Sequence, residues 1–98
     1  VDLDVRCQWT AGAIVVSAGI VPGGSGIIPD THVFRVEFTD PDNRVRPELA
    51  QNIVAPKGQF TKRFFVGYNT APQGWRVKVR DVASGTVREC VLSGSDGK

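Results

Sequence analysis

The sequence predicts an all-β domain, an antiparallel β-sandwich of about seven short strands. Three observations carry this. Apolar and polar residues alternate along most of the chain, turn-forming clusters of Pro, Gly, Asp and Asn recur about every eight to twelve residues, and no useful length keeps the helical period of about 3.6. A closed β-barrel is the alternative architecture.

The first segment, Asp2 to Trp9, sets Leu3, Val5, Cys7 and Trp9 on one face and Asp2, Asp4, Arg6 and Gln8 on the other, as a half-buried strand does. Ala13 to Val21 is Ile- and Val-rich on both faces and fits a central strand that stops at Pro22. From Pro22 to Asp30 the glycines permit positive φ and the prolines block ladder bonds, so this is a connection within one domain. Its Ile27 and Ile28 are expected to pack on a sheet end. Thr31 to Thr39 is a strand with Phe34, Val36 and Phe38 in the core and Val33, Arg35 and Glu37 outside. Asp40-Pro41-Asp42-Asn43 is a turn. Between Arg44 and Lys57, Val45, Leu49, Ile53 and Val54 are bracketed by Pro47 and Pro56, and a short strand or a single helical turn fits equally.

Further on, Phe60 to Gly67, Trp75 to Val82 and Thr86 to Leu92 read as strands, separated by a loop at 69–74 and a tight turn at Ala83-Ser84-Gly85. Trp75, Val77 and Val79 face the core; Arg76, Lys78 and Arg80 face away. The expected inward set is Val5, Cys7, Trp9, Val16, Phe34, Val36, Phe38, Phe64, Trp75, Val77, Val79 and Val91. Residues 93–98 form a polar tail.

At 98 residues the chain holds one domain, 1–98. It opens on Val1 rather than Met, and is expected to be a piece of a longer protein. The longest apolar stretch, Ala11 to Val21, falls short of the roughly 20 residues of a membrane helix, so no membrane span is predicted. Net charge is only +2. The first half holds four Lys/Arg against seven Asp/Glu and the second eight against three, too small a basic excess for a nucleic-acid partner.

Candidate chemistry is sparse. The single histidine, His32, reads as a surface or strand-end residue, and no Gly-x-Ser-x-Gly elbow accompanies it, so no catalytic residue is assigned. Asp40, Asp42 and Glu48 lack the wall of a glycosidase cleft. Gly23-Gly24-Ser25-Gly26 has no helix and Lys after it to cradle phosphate, and no cofactor is expected. Asp40, Asp42 and Asn43 are closely spaced oxygen donors, a weak calcium candidate whose plainer reading is a turn. Among aromatics, Trp9 and Trp75 belong to the core. Tyr68 at a strand end is either a platform for a sugar ring or a corner residue. Arg76, Lys78 and Arg80, with Lys62 or Arg63 and Arg88 on adjoining strands, make a basic ribbon: either a solvated face relieved by Glu37, Glu89 and Asp81, or a surface for an anionic glycan or acidic neighbour.

The segment Asn69 to Thr86, with its Pro-x-Gly loop, Trp-led strand and Asp-x-x-x-Gly hairpin, resembles the end of Ig-like or macroglobulin-like β-sandwich modules. Val33 to Asn43 is similar to the strand and Asp-Pro turn that precede it there. These matches cover about half the chain. They resemble in particular accessory domains appended to large secreted bacterial enzymes, including glycoside hydrolases.

In such Ig-like sandwiches the first and last strands run side by side, which would let Cys7 meet Cys90; two free core thiols are the alternative. The pair differs from the antibody bridge between the second and penultimate strands, which contain no Cys here. The resemblance implies a non-catalytic module that spaces, orients or stabilises adjoining domains of the parent chain, secreted or in the periplasm or cell envelope. A carbohydrate-binding module using Tyr68 and the basic face, or an adhesive, self-associating one, are the alternatives.

Overall fold

A computed structural model describes residues 2–21, 31–67 and 73–92. Seven strands follow in order: β1 (Asp2–Thr10), β2 (Ala13–Val21), β3 (Thr31–Thr39), β4 (Gln51–Pro56), β5 (Gln59–Phe65), β6 (Arg76–Asp81) and β7 (Val87–Val91). They form two antiparallel sheets, of order β1-β2-β5 and β4-β3-β6-β7, packed as a sandwich rather than closed as a barrel. The segment that fits either a strand or a helical turn supplies both. Pro47–Leu49 is a single 3-10 turn with proline in its first positions, and β4 follows.

The β1–β2 hairpin closes through Ala11 and Gly12 at φ 46° and 80°, both left-handed, which matches the right-handed strand twist. Lys57 and Gly58, at φ 56° and 72°, make the corresponding bend that takes the chain from β4 in one sheet to β5 in the other.

Leu3, Ile14, Val16, Ala18, Ile20 and Phe64 from the three-stranded sheet meet Phe34, Val36, Phe38, Val77 and Val79 from the four-stranded one. Aromatic pairs cross the gap, Phe38 on Phe64 at 4.7 Å and Phe34 on Phe60 at 5.5 Å between ring centres. Trp75 and Leu92 fill one end of this core. Val5, Cys7 and Trp9 face inward but are only partly buried, because β1 is an edge strand.

Two expectations are corrected. Val91 is not in the core but 56% exposed. Successive strand residues alternate faces, so with Cys90 turned inward Val91 must point out, and Leu92 takes the buried place. His32 stands at a strand end but is not on the surface: it shares the inner face of β3 with Phe34 and is buried. The connection 22–30, with Ile27 and Ile28, and the tail 93–98 lie outside the described residues.

Candidate functional site

Cys7 on β1 and Cys90 on β7 form a disulfide with Cα atoms 6.1 Å apart, an ordinary separation for such a bridge. The two strands are edges of different sheets, so the bond closes one open side of the sandwich. Arg88 faces the same side and its Nη2 donates to Asp2 Oδ1 at 2.7 Å. The bond Asp2 accepts from the Leu3 amide, followed by the one from Arg88, holds the Asp2 carboxyl below its usual range. The opposite side is closed covalently by the short Lys57-Gly58 bend.

A second cluster caps the β6–β7 hairpin. Asp81 is fully buried and accepts from Ser84 Oγ at 2.6 Å and from His32 Nδ1 at 3.3 Å. An ionised carboxylate only accepts, so Nδ1 carries the proton. Burial pushes the Asp81 carboxyl up, but the bonds from Ser84, His32 and the Ala83 amide outweigh it and hold Asp81 below the usual range. Gly85, at φ 79°, donates its amide to Asp81 O at 2.7 Å and completes the turn. Although Ser, His and Asp meet here, the carboxylate sits in the middle. Ser84 gives its proton to Asp81, and His32 Nε2 is enclosed without a protein partner. The imidazole is therefore not placed to activate the hydroxyl, and the cluster organises the hairpin.

At the other pole, Asp40 Oδ1 accepts from the amides of Asp42 at 3.0 Å and Arg44 at 2.9 Å, and Asp40 Oδ2 faces Arg46 Nη1 at 3.6 Å. Asn43, at φ 65°, directs Oδ1 to the Arg76 guanidinium. Asp40 and Asn43, two of the three calcium candidates, thus spend side-chain oxygens on the turn itself and on arginines, while Asp42 is exposed. Among the described residues no group of three His, Cys, Asp or Glu is placed to share a metal ion. Arg46 also bonds Glu48 Oε2 at 2.7 Å, which lowers the Glu48 carboxyl, and lies 5.8 Å from the centre of the Trp75 ring.

Arg76, Lys78 and Arg80 occupy the outer face of β6. The register sets Lys78 between Glu37 on β3 and Glu89 on β7, and Arg80 opposite Arg35 on β3. Lys62 and Arg63 do not join this face, because β5 belongs to the other sheet; Arg88 leaves it by facing Asp2, and Asp81 by facing inward. The cation that replaces them is Arg35, whose outward place was legible in the β3 alternation but whose partner strand was not. Tyr68 lies outside the described residues.

Shallow depressions mark the outer faces. One of 680 Å³ lies over Gly19 on the three-stranded sheet, between Arg6, Gln59 and the bonded hydroxyls of Ser17 and Thr61. One of 400 Å³ is lined by Arg35, Glu37, Asn52, Arg80 and Val82. Among the described residues no helix is long and apolar enough to cross a membrane. Comparison with protein-family models, with curated proteins and with solved structures finds no match to this chain.

Proposed function

We propose that the chain is a non-catalytic Ig-like module that spaces, orients or stabilises neighbouring domains of a secreted bacterial enzyme or envelope protein. The observation that carries the reading is the relation of β1 to β7. Asp2 lies beside Arg88 and Cys7 beside Cys90, so the first and last strands point the same way. The described chain therefore starts at one pole, near the Asp81 hairpin, and finishes at the other, near Trp75. A nine-residue strand sets those poles about 30 Å apart. Domains joined at the two ends would be held apart by that length on a framework stapled by a disulfide. Such a bond persists in an oxidising compartment, which supports a location outside the reducing cytosol.

The test is made in the parent chain, by replacing the module with a flexible Gly-Ser linker of equal reach. A lower melting temperature of the adjoining domain, or a loss of fixed inter-domain distance in small-angle scattering, is expected. If neither changes, the proposal fails.

A further inference from the structure

We propose that the outer face of the four-stranded sheet carries an oxyanion site between Arg35 and Arg80, which takes a sulfate or carboxylate group, free or borne by an acidic polysaccharide. The inference is independent of the spacing role. It begins with the register: Arg35 and Arg80 are direct cross-strand partners on β3 and β6. Side chains so opposed leave the backbone with Cβ atoms about 5 Å apart, and like charges there repel.

The neighbouring carboxylates balance this pair only in part, because Glu37 reaches Arg35 and not Arg80. Glu89 lies across from Lys78, on the side of β6 away from β3. Glu37, also opposite Lys78, has Oε2 3.9 Å from Arg35 Nε. Arg80 has no ion pair or hydrogen bond to any described residue.

Between the two guanidiniums lies the 400 Å³ depression. Asn52, across from Arg35 on β4, accepts from Arg35 Nη1 through Oδ1 at 3.4 Å, which leaves its amide hydrogens as donors at the same rim. Two forked cations and a neutral donor outnumber the one carboxylate, Glu37, that lines the same hollow, and they form a donor set for an oxyanion, since guanidinium geometry matches carboxylate or sulfate oxygens in pairs. Val82, 54% exposed, lines the same hollow, and exposed Val54 stands across from Val33 beside it. This apolar margin suits the C–H face of a sugar ring next to its acidic substituent, and favours the polysaccharide source over the free ion.

The test combines thermal unfolding in sodium sulfate against sodium chloride at equal ionic strength with affinity electrophoresis through gels holding dextran sulfate, neutral dextran or polyglutamate. Wild-type protein is expected to be stabilised more by sulfate than by chloride and retarded by dextran sulfate but not by dextran. The double variant Arg35→Gln/Arg80→Gln should lose about tenfold or more in affinity, the weight of a charge-assisted contact, while folding as well as or better than wild type because the repulsion is gone. Arg63→Gln, on the other sheet, should retain binding. Extra stabilisation by sulfate that disappears in the double variant, without retardation by dextran sulfate, would assign the site to free oxyanions, retardation would assign it to the polymer, and an equal sulfate effect in wild type and double variant would be the general salting effect and count against the site. Undiminished retardation of the double variant, or an equal loss in Arg63→Gln, would overturn the site, and tighter retention by polyglutamate would overturn the polysaccharide assignment.

Discussion

Replacing Asp81 probes the fold at its most polar buried point. Asp81→Ala deletes the acceptor of Ser84, His32 and the Ala83 amide together. Ser84 is exposed and regains water, but His32 is only 8% exposed and stays buried without its partner. Bonds to a charged group contribute about 1.5–3 kcal/mol each, and a buried donor left without its partner costs about 1–3 kcal/mol. The expected loss is therefore about 3–5 kcal/mol, about a fifth or more of the total stability of a domain this size, which is about 5–15 kcal/mol. In urea, with a slope of about 1.5 kcal/mol per molar, the midpoint should fall by about 2–3 M. Asp81→Asn keeps the shape and loses the charge, and should cost less. The charge has its own signature. Because the folded-state carboxyl of Asp81 is held below its unfolded value of about 3.9, its contribution is complete above that pH and is lost as pH falls through the lowered folded value. Asp2 and Glu48 are shifted the same way, so the acid limb of stability against pH should become shallower in Asp81→Asn rather than vanish. A loss under about 1 kcal/mol in Asp81→Ala, or an acid limb unchanged in Asp81→Asn, would refute the assignment of Asp81 as an ionised structural hub.

Cys7→Ala/Cys90→Ala should destabilise the domain by up to about 4.5 kcal/mol in urea, the loop-entropy value for a separation of 83 residues, and a loss below about 1 kcal/mol would show that the bridge does not restrain the unfolded chain. Ala11→Asn should stabilise by about 0.5–1 kcal/mol in the same assay, because Asn tolerates the left-handed φ of 46° that Ala adopts only under strain; an equal gain from Ala11→Val would refute the turn geometry.

Alternation made much of the sandwich legible. The bounds of the strands at Ala13–Val21 and Thr31–Thr39 and the inward faces of β1, β3 and β6 follow from period two alone, since one buried face dictates residue type at every second position. What sequence pattern lacks is the partner across the ladder. Alternation placed Arg35 and Arg80 on outer faces, yet only the pairing of β3 with β6 makes them neighbours. The same ignorance of sheet membership put Lys62 and Arg63 beside Arg76, whereas β5 lies in the other sheet. For Val91 the pattern held the answer: an inward Cys90 forbids an inward Val91, and parity should have overruled hydrophobicity. For His32, inner-face parity with Phe34 was the available signal, but Asp81, the partner that makes its burial tolerable, sits 49 residues away.

The staple between the first and last strands also decides how the domain answers a pull on its two ends. Tension entering through β1 crosses the sulfurs at Cys7 and Cys90 and leaves through the end of β7, so the polypeptide between them carries no load. At about 3.5 Å per residue, the 83-residue span stores about 290 Å of contour that force alone does not release. Oxidised, the domain is a nearly inextensible tie; reduced, it becomes a length of slack that pays out once the strands part.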